Sequence, residues 1–285
     1  MDELRGDEAE RVGALVEAAA GADGVAPLSE HALLALRAGR GGLVARDGGE
    51  VAGYAHLDPA TEDEPAAGEL VVHPGLRRRG HGRALLRALR EKADGPLRVW
   101  AHGDLPAAAG LAESEGMARV RALFQMRRPA EGPLPEPAVA EGVRLRTFEP
   151  GRDEEAWLRV NGRAFADHPE QGAWTIEDVR EREAEDWFDP SGFFLAEQGG
   201  ELAGFHWTKT HPGGIGEVYV VGVDPDAQGL GLGRALTLAG LHHLRDSGLG
   251  QFMLYVDESN AAAVRLYESL GFTRFAVDVM YGAPE

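Results

Sequence analysis

"VDPDAQGLGLGRA", residues 223–235, sets glycines at 229, 231 and 233 between an apolar run, GEVYVVG at 216–222, and a helix-like run, RALTLAGLHHLRDSG at 234–248. A glycine-rich turn between strand and helix is a common phosphate cradle. Its bare backbone N–H groups and the N-terminus of the next helix converge on an anion without basic side chains. The turn lacks both the G-x-G-x-x-G spacing of a dinucleotide site and the G-K-[ST] ending of a P-loop. What stands is Gln228-x-x-Gly231-x-Gly233.

The same pattern occurs earlier in the chain. VHPGLRRRGHGRA at 72–84 matches the stretch above, and GGEVAGYAH at 48–56 matches GGELAGFHW at 199–207, both at an offset of 151 (223 − 72 and 199 − 48). A third pair, VWAHGDLPAAAGLAESEGM and LYVDESNAAAVRLYESLGF, matches at 271 − 116 = 155. One supersecondary pattern is therefore made twice. Each half reads as helical runs, a hairpin around Asp47-Gly48-Gly49 or Gln198-Gly199-Gly200, a strand, the glycine turn, a helix, a strand, a helix and a last strand. This is a mixed α/β (α+β) pattern. Between the halves RRPAEGPLPEPAVAEG, 127–142, has four prolines and no apolar period, and reads as a linker. The expected domains are 1–128 and 142–285, joined by 129–141.

Composition narrows the partners. With 29 Lys plus Arg against 47 Asp plus Glu, a net charge of −18, the chain opposes nonspecific attraction to nucleic acid or anionic lipid. No apolar run is long enough to span a membrane, and the acidic start MDELRGDEAE lacks the features of a secretory signal. There are no cysteines, which removes disulfides and thiolate metal sites and fits a reducing compartment. The ten histidines show no ligand spacing, and adjacent His242 and His243 point in different directions on a helix. The expectation is a cytoplasmic protein with no metal, no nucleic-acid partner and no membrane association.

A strand ending in V-x-P, then [QR]-x-x-G-x-[GA], a helix, a strand and an N-x-x-A-x-x-x-Y-x-x-x-G-F helix resembles the GNAT acetyltransferases. Two such domains, with HPEQG at 168–172, EVYVVGVDP at 217–225 and LYVDESNAAAVRLYESLGF at 254–272, resemble the mycothiol synthase family of actinobacteria within them. The resemblance implies two tandem domains, each a mostly antiparallel twisted sheet flanked by helices, and acetyl-CoA as co-substrate. It also implies transfer of acetyl to the cysteinyl α-amine of desacetylmycothiol by direct attack in a ternary complex. The alternatives are an acetyltransferase for another small amine or a protein N-terminus, and a non-catalytic acetyl-CoA sensor. A monomer is expected, because two covalently joined repeats can form the interface that single domains make by pairing.

Comparing the halves locates the chemistry. By offset Glu217 matches Ala66, Asn260 matches Leu105 and Tyr267 matches Ala112, so the second half is expected to be catalytic and the first degenerate. The resemblance implies Glu217 as general base and Tyr267 as the acid that protonates the departing thiolate; the alternatives are a strand-edge carboxylate and a core aromatic. Being seven apart, Asn260 and Tyr267 are expected to share a helix face, Asn260 holding the pantetheine arm or acting as an N-cap. For acetyl-CoA it implies Val221, Gly222 and Val223, then Gln228, Gly229, Leu230, Gly231, Leu232, Gly233 and Arg234, with Arg265. In the first half Leu70, Val71, Val72, Arg77, Gly80 and Gly82 repeat the cradle. For the acceptor it implies Glu170, Lys209, Glu217 and Tyr255, with Glu30 from the first domain.

Overall fold

The computed structural model describes residues 2–4, 8–40, 42–61, 64–166 and 169–284; of Asp2, Glu3, Pro169 and Glu170 only the backbone is described. Two compact units form: Met1–Phe124 with Asp257–Ser259 and Ala276–Glu285, and Gln125–Val256 with Asn260–Phe275.

The first unit runs β1 (Asp2–Glu3), α1 (Ala9–Asp23), α2 (Glu30–Arg37), β2 (Leu43–Asp47), β3 (Glu50–Asp58), β4 (Ala66–Val72), α3 (His81–Ala93), β5 (Leu97–Ala101), α4 (Pro106–Ser114) and the start of β6 (Ala118–Pro129). Its strands β1 to β5 lie side by side in chain order, every pairing antiparallel except β4 with β5. Beside β5 lies the C-terminal end of the chain, with Val279, Met280 and Tyr281 opposite Ala101, Trp100 and Val99. Leu85, Leu86 and Leu89 recur at the spacing of one face of α3 and are buried in the unit's core. Burying each such side chain contributes about 1.5–3 kcal/mol.

The second unit repeats the order: β7 (Val143–Thr147), α5 (Glu154–Ala164), α6 (Pro169–Gly172), α7 (Ile176–Glu183), β8 (Phe193–Gln198), β9 (Glu201–His211), β10 (Ile215–Val223), α8 (Leu232–Asp246), β11 (Gln251–Asp257), α9 (Ala261–Ser269) and the start of β12 (Thr273–Gly282). Its strands β7 to β11 are again neighbours in chain order, antiparallel except β10 with β11. Residues 130–142 form no helix or strand. Thr175 caps α7 through a reciprocal hydrogen-bonded box with Asp178, which fixes where that helix begins.

The feature that creates a site is a parting of strands. β10 pairs with β11 only from Ile215 opposite Gln251 to Val218 opposite Leu254, yet it runs on to Val223 with its other edge held by β9. β4 likewise leaves β5 after Glu69 opposite Trp100 and continues to Val72. A β-bulge between Val218 and Val220 interrupts the β9–β10 ladder, and β3–β4 has none. The extra residue corrects one equivalence read from the offset. Glu217 faces Lys209, and the matching position opposite Asp58 is Ala67, not Ala66. The counterpart remains apolar.

Candidate active site

The glycine turn adopts the geometry its composition dictates. Pro225–Ala227 is a single 3-10 turn, Gly229 and Gly231 have φ of +85° and +73°, and Gly231 immediately precedes α8 with no side chain capping the helix. A Cβ on either glycine would meet nothing within 4 Å, so the requirement there is conformational and not steric. The first turn of α8 therefore offers uncapped N–H groups, with the positive end of the helix dipole behind them. Leu232 is buried beneath this turn, and the half-buried Leu230 packs in the same cluster. The Arg234 guanidinium donates to Ser269 Oγ at 3.0 Å. Val221, Gly222 and Val223 pair with His206, Phe205 and Gly204 on β9, beyond the last residue that pairs with β11. A strand edge left this way can receive an extended ligand by backbone hydrogen bonds.

Glu217 lies on the paired part of β10, next to the parting, and is buried. His211 Nε2 is 2.6 Å from its Oε2, and Lys209 stands directly opposite on β9. Residues two apart share a strand face, so Lys209 and His211 both accompany the carboxylate. His211 was not among the residues expected from the sequence; the signal lay in HWTKTHP, once the register of β9 against β10 is known. Lys209 is also buried, its Nζ 4.5 Å from the centroid of Trp187 and 5.1 Å from that of Tyr219. Arg182 stacks 3.9 Å over Trp174 and donates to Tyr219 Oη at 2.9 Å. The site thus joins one carboxylate, one imidazole and two cations to an aromatic wall.

Tyr267 on α9 is buried, and burial pushes its phenol up to about 12, so it is protonated at neutral pH. It stacks edge-on against Phe272. Asn260 is the N-cap of α9. It precedes α9, is exposed, and its Oδ1 accepts from Ala263 N at 3.1 Å, which is the N-cap alternative. Arg265 is exposed on the same helix. Tyr255, 40% exposed on β11, accepts from Gln125 Nε2 at 2.6 Å. Glu170 contributes only backbone, in α6, and its side chain lies outside the described residues.

The first unit keeps the cradle and has polar groups of its own. A cavity of about 540 Å³ is lined by Leu70, Val71, Val72, Arg77, Gly80 and Gly82 among others. Arg78 stands where the second unit has Gly229 and still takes φ +65°. Arg77 is engaged elsewhere, donating to both carboxylate oxygens of Asp23 at 2.7 and 2.6 Å. Glu30 is the first residue of α2. His102, also on the cavity wall, lies between Asp278 Oδ2 at 3.0 Å and Glu69 Oε2 at 3.4 Å. Offset matching to the second unit's candidates misses this triad.

Burial opposes the charge on His102, but its bonds to Asp278 and Glu69 outweigh burial and push it up to about 10. Because the folded value is raised above the unfolded one near 6.5, this stability is complete below that pH and is lost as pH rises toward about 10. We expect the thermal midpoint to fall between pH 7 and 10, and His102→Gln to flatten that fall. An unchanged slope would show that His102 is not protonated in the folded chain.

The family model described as "Acetyltransferase (GNAT) family" matches residues 14–116 and 157–272. A mycothiol acetyltransferase of Thermomonospora curvata is 72% identical over 285 residues, covering 99% of this chain and 96% of that protein. Another, of Thermobispora bispora, is 64% identical and covers 98% and 97%. A solved tandem GNAT protein from the clavulanic acid biosynthesis pathway superposes with a TM-score of 0.73 over 99% of this chain and 98% of that one; at 23% identity it bears on the fold alone. These likenesses extend over both units, and the chain belongs to the GNAT acetyltransferase family, among its mycothiol acetyltransferases, as an acetyl-CoA-dependent N-acetyltransferase.

Proposed function

We propose that the chain moves acetyl from acetyl-CoA to the cysteinyl α-amine of desacetylmycothiol, and that the chemistry belongs to the second domain, 142–285. The observation that carries this reading is Glu217, a buried carboxylate at the point where β10 leaves β11. Uncapped N–H groups at Gly231–Gly233 and Arg234 suit a pyrophosphate, and the free edge of Val221–Val223 suits a pantetheine arm and an acetyl carbonyl. Gln228, Gly229, Leu230 and Leu232 shape that turn. Asn260 and Arg265 are assigned to acetyl-CoA by resemblance.

In the reaction Glu217, directly or through water, accepts the proton that the amine loses as its nitrogen bonds to the acetyl carbon. The carbon–sulfur bond then breaks, and Tyr267 donates a proton to the departing thiolate. Lys209, with an ammonium against Trp187 and Tyr219, suits sugar hydroxyls. Glu170, Tyr255 and Glu30 are assigned to the acceptor by resemblance. We infer that the first domain, 1–128, holds acetyl-CoA without turning it over, with 129–141 as linker. We also infer that the protein is a cytoplasmic monomer, in keeping with its lack of cysteine and its fused repeats.

Thiol release, corrected for the acceptor's own thiol, is expected to be far faster with desacetylmycothiol than with simpler amines. Activity on other amines alone would keep the fold and co-substrate and remove this acceptor. Tyr267→Phe is expected to lower kcat about ten- to a hundred-fold with acetyl-CoA affinity nearly unchanged. An unaffected rate would return Tyr267 to the core.

A further inference from the structure

Away from both glycine turns, the first unit brings together three side chains that the sequence holds apart. His31 is the second residue of α2, while His56 and Asp58, two apart near the end of β3, share one face of that strand. His31 Nε2 and His56 Nε2 approach the same Asp58 oxygen, Oδ1, at 2.9 and 3.0 Å, and the three ligand atoms all lie within 4.8 Å of one another. We propose that His31, His56 and Asp58 form a binding site for Zn²⁺, or a divalent ion of like preference, with a further coordination position open to solvent.

Three properties carry the assignment. The spacing fits. Tetrahedral zinc with bonds of about 2.0–2.1 Å sets its ligand atoms about 3.3 Å apart, so the two nitrogen–oxygen distances need to change by only tenths of an ångström, and the two imidazole nitrogens start no more than 4.8 Å apart. The donor set fits as well, because two imidazoles and one carboxylate suit a borderline ion such as zinc, whereas magnesium and calcium prefer oxygen throughout. Burial is graded. His56 is 5% exposed, whereas the Asp58 and His31 side chains are 42% and 51% exposed, leaving a rigid inner ligand and an open approach.

Protonation is consistent with this geometry. Burial works to raise Asp58, but the bonds from His31 and His56 overcome it and hold the carboxyl well below the usual carboxylate range. An ionised carboxylate only accepts hydrogen bonds, so both Nε2 atoms donate to it, and a bound cation replaces those two protons at one point. The ion would tie the start of α2 to the end of β3. It takes no part in acetyl transfer.

The test uses the untagged full-length chain, stripped with a chelator and checked for folding by circular dichroism. Zn²⁺ is titrated calorimetrically, and Co²⁺ serves as an optical probe of coordination. We expect one site per chain, visible Co²⁺ bands of tetrahedral type, and a thermal midpoint raised by zinc. His31→Ala and Asp58→Asn, both at exposed side chains, are each expected to weaken Zn²⁺ binding more than about ten-fold. The double variant His242→Ala/His243→Ala is expected to leave it unchanged. Absence of Zn²⁺ binding, or binding that neither His31→Ala nor Asp58→Asn weakens, overturns the proposal and leaves the three residues as a hydrogen-bonded cluster.

Discussion

Glu217→Gln is expected to lower kcat/KM for desacetylmycothiol by about 10²–10⁴-fold, the range over which a positioned base contributes, with acetyl-CoA affinity unchanged. Glutamine matches glutamate in shape, so the buried space between His211, Lys209 and Met253 stays filled. What is lost is an atom that can take a proton. An α-amine has a pKa of about 8, so more acceptor arrives deprotonated as pH rises, but this speeds parent and variant alike. With the base acting during attack, the ratio between them is expected to be the same at pH 7 and pH 9, whereas a ratio that shrinks would mean that Glu217 strips an ammonium before attack. His211 supplies an internal control. If it orients Glu217, its replacement by Gln costs less than loss of the carboxylate itself. A deeper loss in His211→Gln than in Glu217→Gln would make the imidazole the base. Activity within about three-fold of the parent in Glu217→Gln would leave that carboxylate a structural role only.

Parts of this site were legible in the sequence because they are local demands on the backbone. A turn that takes positive φ at 229 and 231, followed by an uncapped helix, writes itself as glycines at those positions. Its recurrence at a fixed offset revealed the second copy. The pairing of distant strands is a different kind of information. The bulge before Val220 is set by the ladder with β9, and only that register shows Glu217 facing Lys209 with His211 beside it. Likewise Asp278 reaches His102 across 176 residues of chain, and no periodicity announces such a partner. The N-cap reading of Asn260 was legible because it is local: its Oδ1 accepts from Ala263 N three residues on, at the start of α9. The His31, His56 and Asp58 cluster was illegible for the same cause as the triad, since a helix and a strand meet there without any motif spacing.

Trp157→Ala is expected to destabilise the second unit by about 3–5 kcal/mol, the usual cost of deleting a large buried aromatic. Trp157 on α5 is fully buried, with ring centroids of Phe205 at 5.2 Å, Trp174 at 5.7 Å, Trp207 at 5.8 Å and Phe193 at 5.9 Å. These four rings are rigid and fill little of the space by rotating. Four of the chain's five tryptophans, at 157, 174, 187 and 207, belong to this unit, so tryptophan fluorescence reports its melting. At about 2–4 °C per kcal/mol the midpoint is expected to drop by about 10 °C. Trp157→Phe separates packing from polarity. The indole Nε1 is buried with no hydrogen-bond partner among the described residues, and an unsatisfied buried donor costs about 1–3 kcal/mol. Phenylalanine keeps most of the ring contact and removes that donor, so its loss is expected to be well under half that of alanine. The same cluster contains Val220 and borders Tyr219, on the stretch of β10 that leaves β11. Trp157→Ala is therefore expected to lower kcat at temperatures where the unit is still folded, because the wall that holds the parting strand in place has lost its centre. Equal effects of alanine and phenylalanine on both the midpoint and kcat would mean that the indole's volume is not what supports the site.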